Sequence, residues 1–315
     1  MNEYIINLKN KYGYSDELLE FLVKLIPNLI KFYGEEYQDI ILGALANCEI
    51  HFQRKDEDPI TFLSSYFNVS KEWDMPDLGG AFYHNEIKVS DDKIEAKPII
   101  YLKRIYYGMY MPFNFNDDTD VNTLIHEICH LIKGYGKLRI ENDKIIDSTG
   151  LMKETYSYSL ENGVVKEKEE MVGIEEAINE IESTQILEMV RGRKMKIIGY
   201  AAASYSATEL LEHDDIAKIL RISQFRGDDS WIQYLGEEQS KVLIENFDIL
   251  VNAMYVPFSV IDNDEKREAL YQKMGQVQEI ISNFVNSYLP KDVDAFIQSL
   301  DIDNQISEVS SSIKR

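Results

Sequence analysis

The sequence feature that most constrains the fold is a run with helical periodicity, Thr123–Ile132, which reads TLIHEICHLI. Within it, His126, Glu127 and His130 form an HExxH motif. Residues four apart on an α-helix project from one face, so the two neutral imidazoles can bind a single zinc ion. Glu127 lies beside that face, where it can hold and deprotonate a metal-bound water. The motif therefore predicts a zinc-dependent hydrolase.

The residues around the motif favour a helix that is buried on its other side. Asp117–Asp120 offer a helix N-cap and negative charge at the helix start, and Gly134 and Gly136 mark its end. Cys129 is a candidate additional ligand, but it follows the apolar stripe and we interpret it as a core residue. The apolar stripe consists of Leu124, Ile125, Ile128, Leu131 and Ile132.

The overall charge of the chain limits the classes of partner. The 315 residues carry a formal net charge of −22, with 44% hydrophobic and 28% charged residues. The composition is that of a globular protein with an ample core. Such an acidic surface repels phosphate backbones and anionic lipids, so we expect neither nucleic acid nor a membrane as a partner. A peptide or protein substrate of neutral or basic character is the expectation, and the charge does not indicate the oligomeric state.

Three features of the sequence favour a cytoplasmic location. The first residues lack a long apolar segment and a small-residue cleavage site. The apolar run Leu18–Ile30 is interrupted by charged residues and a proline, so it cannot span a bilayer. The only cysteines, Cys48 and Cys129, do not form a disulfide framework. Export without a cleaved signal peptide is left open.

The hydrophobic patterns predict an α+β fold that is mostly helical. Residues 15–50 have helical periodicity, whereas 80–90 alternate apolar and polar residues and 97–107 are rich in β-forming residues. These two segments predict a small β-sheet before the HExxH helix, and the chain from Gly173 onward predicts a helical C-terminal lobe. We expect two divisions of the chain, an N-terminal helical segment (1–70) and a second domain (71–315). The second domain is expected to contain the strands and the HExxH helix (71–136), then a flap (137–172), and then the helical lobe (173–315).

A catalytic zinc usually has three protein ligands, and the third is expected on a second helix. No histidine follows His130 at the spacing of the extended metzincin motif. The segment GIEEAINE after the flap supplies glutamates instead. Glu176 and Glu180 are four residues apart and share a helical face, so one can bind the metal while the other accepts a hydrogen bond from a zinc-bound histidine. Glu176 is the predicted ligand, with Glu175 and Glu180 as alternatives.

The two motifs together resemble the gluzincin group of zinc metallopeptidases, which have a thermolysin-like site. HEICH is followed by Glu176, 46 residues after His130. In addition, GIEEAINEIEST resembles a GLNEGITEYLT-type segment of uncharacterised metallopeptidase-like proteins from Gram-positive bacteria and their mobile elements. The resemblance covers roughly residues 80 to 190, and the long spacing leaves room for an inserted flap.

This resemblance implies a zincin-like catalytic domain over 71–315 and a role for each residue of its site. His126, His130 and Glu176 would bind Zn²⁺, Glu127 would be the general base, and Glu180 would support a liganding histidine. The expected activity is that of a zinc-dependent metallopeptidase that hydrolyses peptide bonds through a metal-activated water. Two alternatives stay open: a zinc-binding protein of zincin fold without turnover, and a helical interaction protein without metal.

Peptide hydrolysis also needs a donor that stabilises the developing oxyanion. Tyr205 is the predicted donor because the segment around it, Gly199–Ser206, is rich in small residues that can line a cleft. The alternatives are Tyr156, Tyr158, Tyr200 and His213.

Overall fold

The computed structural model describes residues 2–58, 79–90, 93–106, 109–159, 163–197, 199–253 and 263–300. Over these residues the protein is mostly helical with small β-sheets, which confirms the predicted α+β class. None of the helices in this part of the chain is both long enough and apolar enough to cross a membrane.

The helices lie at the two ends of the chain and around the HExxH motif. Among the described residues, the chain up to residue 47 and the chain from residue 172 onward are mainly helical. In chain order the helices are α1 (Asn2–Tyr12), α2 (Asp16–Tyr33), a 3₁₀ turn (Glu35–Tyr37), α3 (Gln38–Asn47), α4 (Asp118–Gly134), α5 (Val172–Arg191), α6 (Ala201–Leu211), α7 (Asp214–Arg226), α8 (Ser230–Leu235), α9 (Glu237–Asn252), α10 (Asp264–Ser287) and α11 (Val293–Ser299).

The strands form three sheets among the described residues. The first has the order β1-β3-β2, the second is the β4-β5 hairpin, and the third has the order β6-β7-β8-β9. The strands are β1 (Glu49–Phe52), β2 (Gly79–Ser90), β3 (Lys93–Lys103), β4 (Ile105–Tyr106), β5 (Met109–Tyr110), β6 (Arg139–Glu141), β7 (Lys144–Thr149), β8 (Met152–Ser159) and β9 (Gly163–Glu170).

The predicted strands before the HExxH helix are present with adjusted boundaries. The segment 80–90 is β2, which pairs with β3 in antiparallel register, while β1 pairs with β3 in parallel. The segment 97–107 is divided between β3 and β4. Residues 91 and 92, between β2 and β3, lie outside the described residues. Asn142 and Asp143 form the turn between β6 and β7, at φ of 49° and 61°.

The HExxH helix α4 begins as its sequence predicts, and an ion pair joins its start to the sheet. The Asp117 side chain accepts hydrogen bonds from the backbone N–H groups of Thr119 and Asp120, which satisfies two free donors at the helix start. One turn in, the Asp120 carboxylate is buried and pairs with both terminal nitrogens of Arg104, at 2.7 and 3.0 Å. Arg104 follows β3 directly, so this bidentate pair joins the helix start to the sheet. Cys129 is fully buried, in agreement with its predicted core position.

The backbone groups into two compact units that interleave along the sequence. The first comprises Met1–Asp147, Thr155–Glu167 and Glu182–Lys196, and the second comprises Ser148–Glu154, Lys168–Ile181 and Ile197–Arg315. The second unit has its own hydrophobic core, with Trp231 and Phe247 fully buried among aliphatic side chains of α5 to α10. The predicted division at residue 70 stays a prediction.

A buried carboxylate joins the C-terminal helices of the second unit. Asp215 of α7 is 8% exposed, and its Oδ2 accepts hydrogen bonds from the hydroxyls of Tyr234 and Tyr288, at 2.8 and 2.6 Å, and from the backbone N–H of Lys291, at 3.1 Å. Burial raises the pKa of Asp215, but the hydrogen bonds from Tyr288, Lys291 and Tyr234 outweigh it, so the net pKa is lowered.

We expect Asp215 to make the stability of this unit depend on pH. Because its folded pKa lies below the ordinary aspartate value of about 3.9, its contribution is present above about pH 4 and is lost as the pH falls through the folded pKa. Asp215→Asn should lower the free energy of unfolding at neutral pH by about 1–3 kcal/mol and flatten its decline at acid pH.

The measurement is urea denaturation of the full chain, followed by tryptophan fluorescence between neutral pH and about pH 3. Asp214→Asn is the matched control because Asp214 is the neighbouring aspartate and is exposed. Equal acid sensitivity of the wild type and Asp215→Asn would contradict the assignment.

Candidate metal centre

Helix α4 places the two histidines of the motif side by side. His126 and His130 are 7% and 5% exposed, and their ring centroids lie 4.8 Å apart at an interplanar angle of 72°. The two Nε2 atoms face each other at 3.1 Å. One helical turn therefore brings two nitrogen donors to a common point, as the i, i+4 spacing predicts.

A carboxylate from α5 completes the group. Among the described residues, His126, His130 and Glu176 each offer a ligand atom within 4.8 Å of the others. Glu176 is half-buried, whereas both histidines are buried. The structure therefore brings together the three residues that the sequence predicts as metal ligands.

The donor set and its spacing fit zinc. Zinc binds imidazole nitrogen at about 2.0–2.1 Å, and a tetrahedral angle then places two nitrogen ligands roughly 3.3 Å apart. The 3.1 Å between the two Nε2 atoms is close to that value. The carboxylate oxygen of Glu176 lies within 4.8 Å of both nitrogens, so it would have to move closer to complete a tetrahedral site. Two imidazoles and one carboxylate form the ligand set of a catalytic site, with the fourth position open to water.

The start of α5, which carries Glu176, is fixed by a close backbone approach. The Gly173 N–H donates to Asp248 Oδ1 of α9 at 2.8 Å. A Cβ at Gly173 would overlap the backbone of Phe247 and Asp248, so this position requires glycine. Burial raises the pKa of Asp248, and the hydrogen bond from Gly173 opposes that shift.

Glu175, an alternative third ligand, has a structural role. It is fully buried, and its Oε2 accepts hydrogen bonds from the Leu151 N–H at 2.8 Å and from Gln224 Nε2 at 2.9 Å. Its carboxylate also lies against Gly150, where φ is +64° and a Cβ would overlap it. Glu175 therefore holds the turn between β7 and β8, while its neighbour Glu176 lies with the histidines.

Glu180 is one turn beyond Glu176 on α5 and is also buried. Its Oε1 accepts a hydrogen bond from the Gly199 N–H at 2.8 Å, and a Cβ at Gly199 would lie 3.2 Å from the carboxylate. Glu180 thus holds the segment that leads into α6. Its predicted hydrogen bond with a liganding histidine stays a prediction.

The predicted base and the predicted oxyanion donor have different surroundings. Glu127 is 6% exposed and lies next to His126 on α4. Tyr205 is 69% exposed on α6, in a groove that Gln278 and Ser282 of α10 also line. The catalytic role of Tyr205 stays a prediction.

The other candidate donors are placed as follows. Tyr156 is buried, and the side chain of Tyr158 lies outside the described residues. His213 Nε2 donates to the Val285 carbonyl at 3.1 Å, which ties it to the end of α10. Tyr200 has a left-handed backbone, with φ of 46°, directly after Gly199. This conformation is uncommon for a residue with a Cβ and requires support from its surroundings.

Sequence reasoning missed two buried charges on the helices that carry the candidate ligands, Lys133 on α4 and Glu182 on α5. Lys133 Nζ lies 3.1 Å from Glu182 Oε2. The sequence does contain a sign that Lys133 is buried. Lys133 lies three residues after His130, on the same helical face and in a mostly apolar run.

Comparisons of the chain with protein-family models, with curated proteins and with solved structures each found no match.

We expect substitution at Glu176 and Glu175 to separate metal binding from stability. Glu176→Gln removes a charged ligand and should weaken zinc binding by at least about tenfold, or about 1.4 kcal/mol. Glu175→Gln should leave zinc affinity within about threefold of wild type but should lower the thermal midpoint, because one acceptor oxygen of a buried hydrogen-bond pair becomes an amide.

Zinc affinity is measured by competition with a chromophoric chelator, and the thermal midpoint by calorimetry on the metal-free chain. A reversed result, with zinc affinity lost in Glu175→Gln and kept in Glu176→Gln, would show that Glu175 is the ligand.

Proposed function

We propose that this protein is a zinc-dependent metallopeptidase of the gluzincin type. The observation that carries the proposal is the group of His126, His130 and Glu176, whose ligand atoms lie within 4.8 Å of one another beside the buried Glu127. That arrangement combines a three-residue metal site with a carboxylate on the same helix.

Each residue has a defined chemical task in this proposal. Zinc, when bound, acts as a Lewis acid that polarises the substrate carbonyl and lowers the pKa of a coordinated water toward ~7. His126 and His130 donate neutral nitrogens, and Glu176 donates one negative charge. Glu127 accepts the proton of the attacking water and later returns a proton to the leaving amine, the usual cycle of a general base and acid.

The sheet beside α4 supports a peptide as the substrate. In the described sheet β2 is an outer strand, paired with β3 on one side, and it packs against α4. An extended peptide can add to such an edge through backbone hydrogen bonds, which bind it without demanding one sequence. The net charge of −22 favours neutral or basic peptides over acidic ones.

We infer a cytoplasmic location for this activity. Cys48 and Cys129 are both buried and are not joined in a disulfide, which is compatible with a reducing compartment.

Glu127→Gln tests the proposed reaction directly. The variant should keep stoichiometric zinc and lose peptide hydrolysis by at least about 10²-fold, because the amide cannot accept the proton. Hydrolysis is followed on a broad library of quenched fluorescent peptides, and zinc by elemental analysis of the same preparation. Glu20→Gln, at an exposed glutamate of α2, is the matched control and should leave turnover unchanged.

Full turnover in Glu127→Gln, or activity that survives removal of zinc by a chelator, would contradict the proposal. Stoichiometric zinc without cleavage of any library peptide by the wild type would instead support a zinc-binding protein without turnover.

A further inference from the structure

A charged pair is buried at the junction of three helices in the first unit. Lys133 of α4 is fully buried and Glu182 of α5 is 4% exposed. Lys133 Nζ donates to Glu182 Oε2 at 3.1 Å, and the hydroxyl of Tyr33, at the end of α2, donates to the same oxygen at 3.2 Å. The carboxylate of Glu182 therefore receives one charged and one neutral donor away from water.

This pair lies on the two helices that carry the candidate metal ligands. Lys133 is three residues beyond His130, and Glu182 is six residues beyond Glu176. An α-helix is stiff over such distances and rises about 1.5 Å per residue. A contact that fixes Glu182 against Lys133 therefore also limits where Glu176 stands relative to the two histidines.

A second ion pair joins the same helices nearer the start of α4. Arg191 Nε donates to Asp118 Oδ1 at 3.0 Å, and both side chains are 23% exposed. Water and salt screen this contact more than the buried one. Of these two ion pairs, the buried Lys133–Glu182 pair is therefore the less screened by water and salt.

The free-energy balance of a buried ion pair indicates that the Lys133–Glu182 pair has a role other than stabilising the fold. Burying two charges costs desolvation energy that their attraction only partly repays, and replacing such a pair by apolar residues of similar volume is often neutral or stabilising. A charged hydrogen bond, however, is satisfied in one arrangement, whereas aliphatic side chains allow helices to slide. Buried polar groups can in this way set the register between helices.

We infer that Lys133 and Glu182 are positioning residues, which set the register of α5 on α4 so that Glu176 meets His126 and His130. This inference rests on the proposed zinc function and adds residues that neither bind the metal nor touch the substrate. Zinc affinity should therefore depend on the pair more strongly than folding does.

The test compares Lys133→Met/Glu182→Met with the wild-type chain. Methionine preserves much of the side-chain length, and the double substitution removes both charges of the pair together. We expect a thermal midpoint of the metal-free chain equal to or above that of wild type, and a zinc dissociation constant raised at least about tenfold, as for other groups that orient metal ligands.

Two further variants provide a fallback and a control for the double substitution. Glu182→Gln retains shape and an acceptor oxygen but removes the charge, and it should weaken zinc binding at least about threefold if the double variant fails to fold. Lys9→Met/Asp16→Leu removes an exposed ion pair of the same unit, at 2.6 Å, and should leave zinc affinity unchanged.

The outcomes separate the two proposals. Wild-type zinc affinity in the folded double variant, or in Glu182→Gln where the double variant does not fold, would overturn the positioning role while leaving the metallopeptidase proposal intact. A wild-type chain that binds no zinc would overturn both.

Discussion

Burial of the polar side chains on α4 is the constraint on which the rest of the structure depends. The helix is buried along almost its whole length, including Asp120, Glu127 and Lys133. A buried polar group without a partner costs about 1–3 kcal/mol, so each of these positions requires a particular neighbour. Asp120 is paired with Arg104 beside the sheet, and Lys133 with a carboxylate of α5. These two pairs hold both ends of the helix that carries the two histidines.

Four glutamates of α5 each have different surroundings. Glu175 holds a turn of the flap, Glu176 lies with the histidines, Glu180 holds the segment before α6, and Glu182 pairs with Lys133. In a chain with a net charge of −22, such a series would ordinarily suggest a solvated surface. Three of these four carboxylates are instead buried, and each has at least one hydrogen-bond donor.

Much of the local structure was predictable because it depends on neighbours in sequence. The HExxH helix, the acidic cap at its start, the strand 80–90 and the helical C-terminal lobe all follow from periodicity and capping. Strand boundaries were predicted less accurately, because the segment 97–107 was expected to be one strand and is divided between β3 and β4. Tyr205 is the predicted oxyanion donor because of the small residues around it. Small neighbours, however, do not indicate which face of a helix is exposed. That side chain is 69% exposed.

The sequence by itself determined that His126 and His130 share a helical face with Glu127 beside it, because that geometry comes from the helical period alone. Only the tertiary structure shows that Glu176 lies with the two histidines while Glu175 accepts hydrogen bonds from Leu151 and Gln224, because neighbouring residues on a helix point about 100° apart. Metal binding by Glu176 stays a prediction. The packing of α5 on α4 also pairs Lys133 with Glu182, 49 residues away. A contact between residues so far apart in sequence depends on how the two helices pack in the folded chain. Local sequence patterns do not predict that packing.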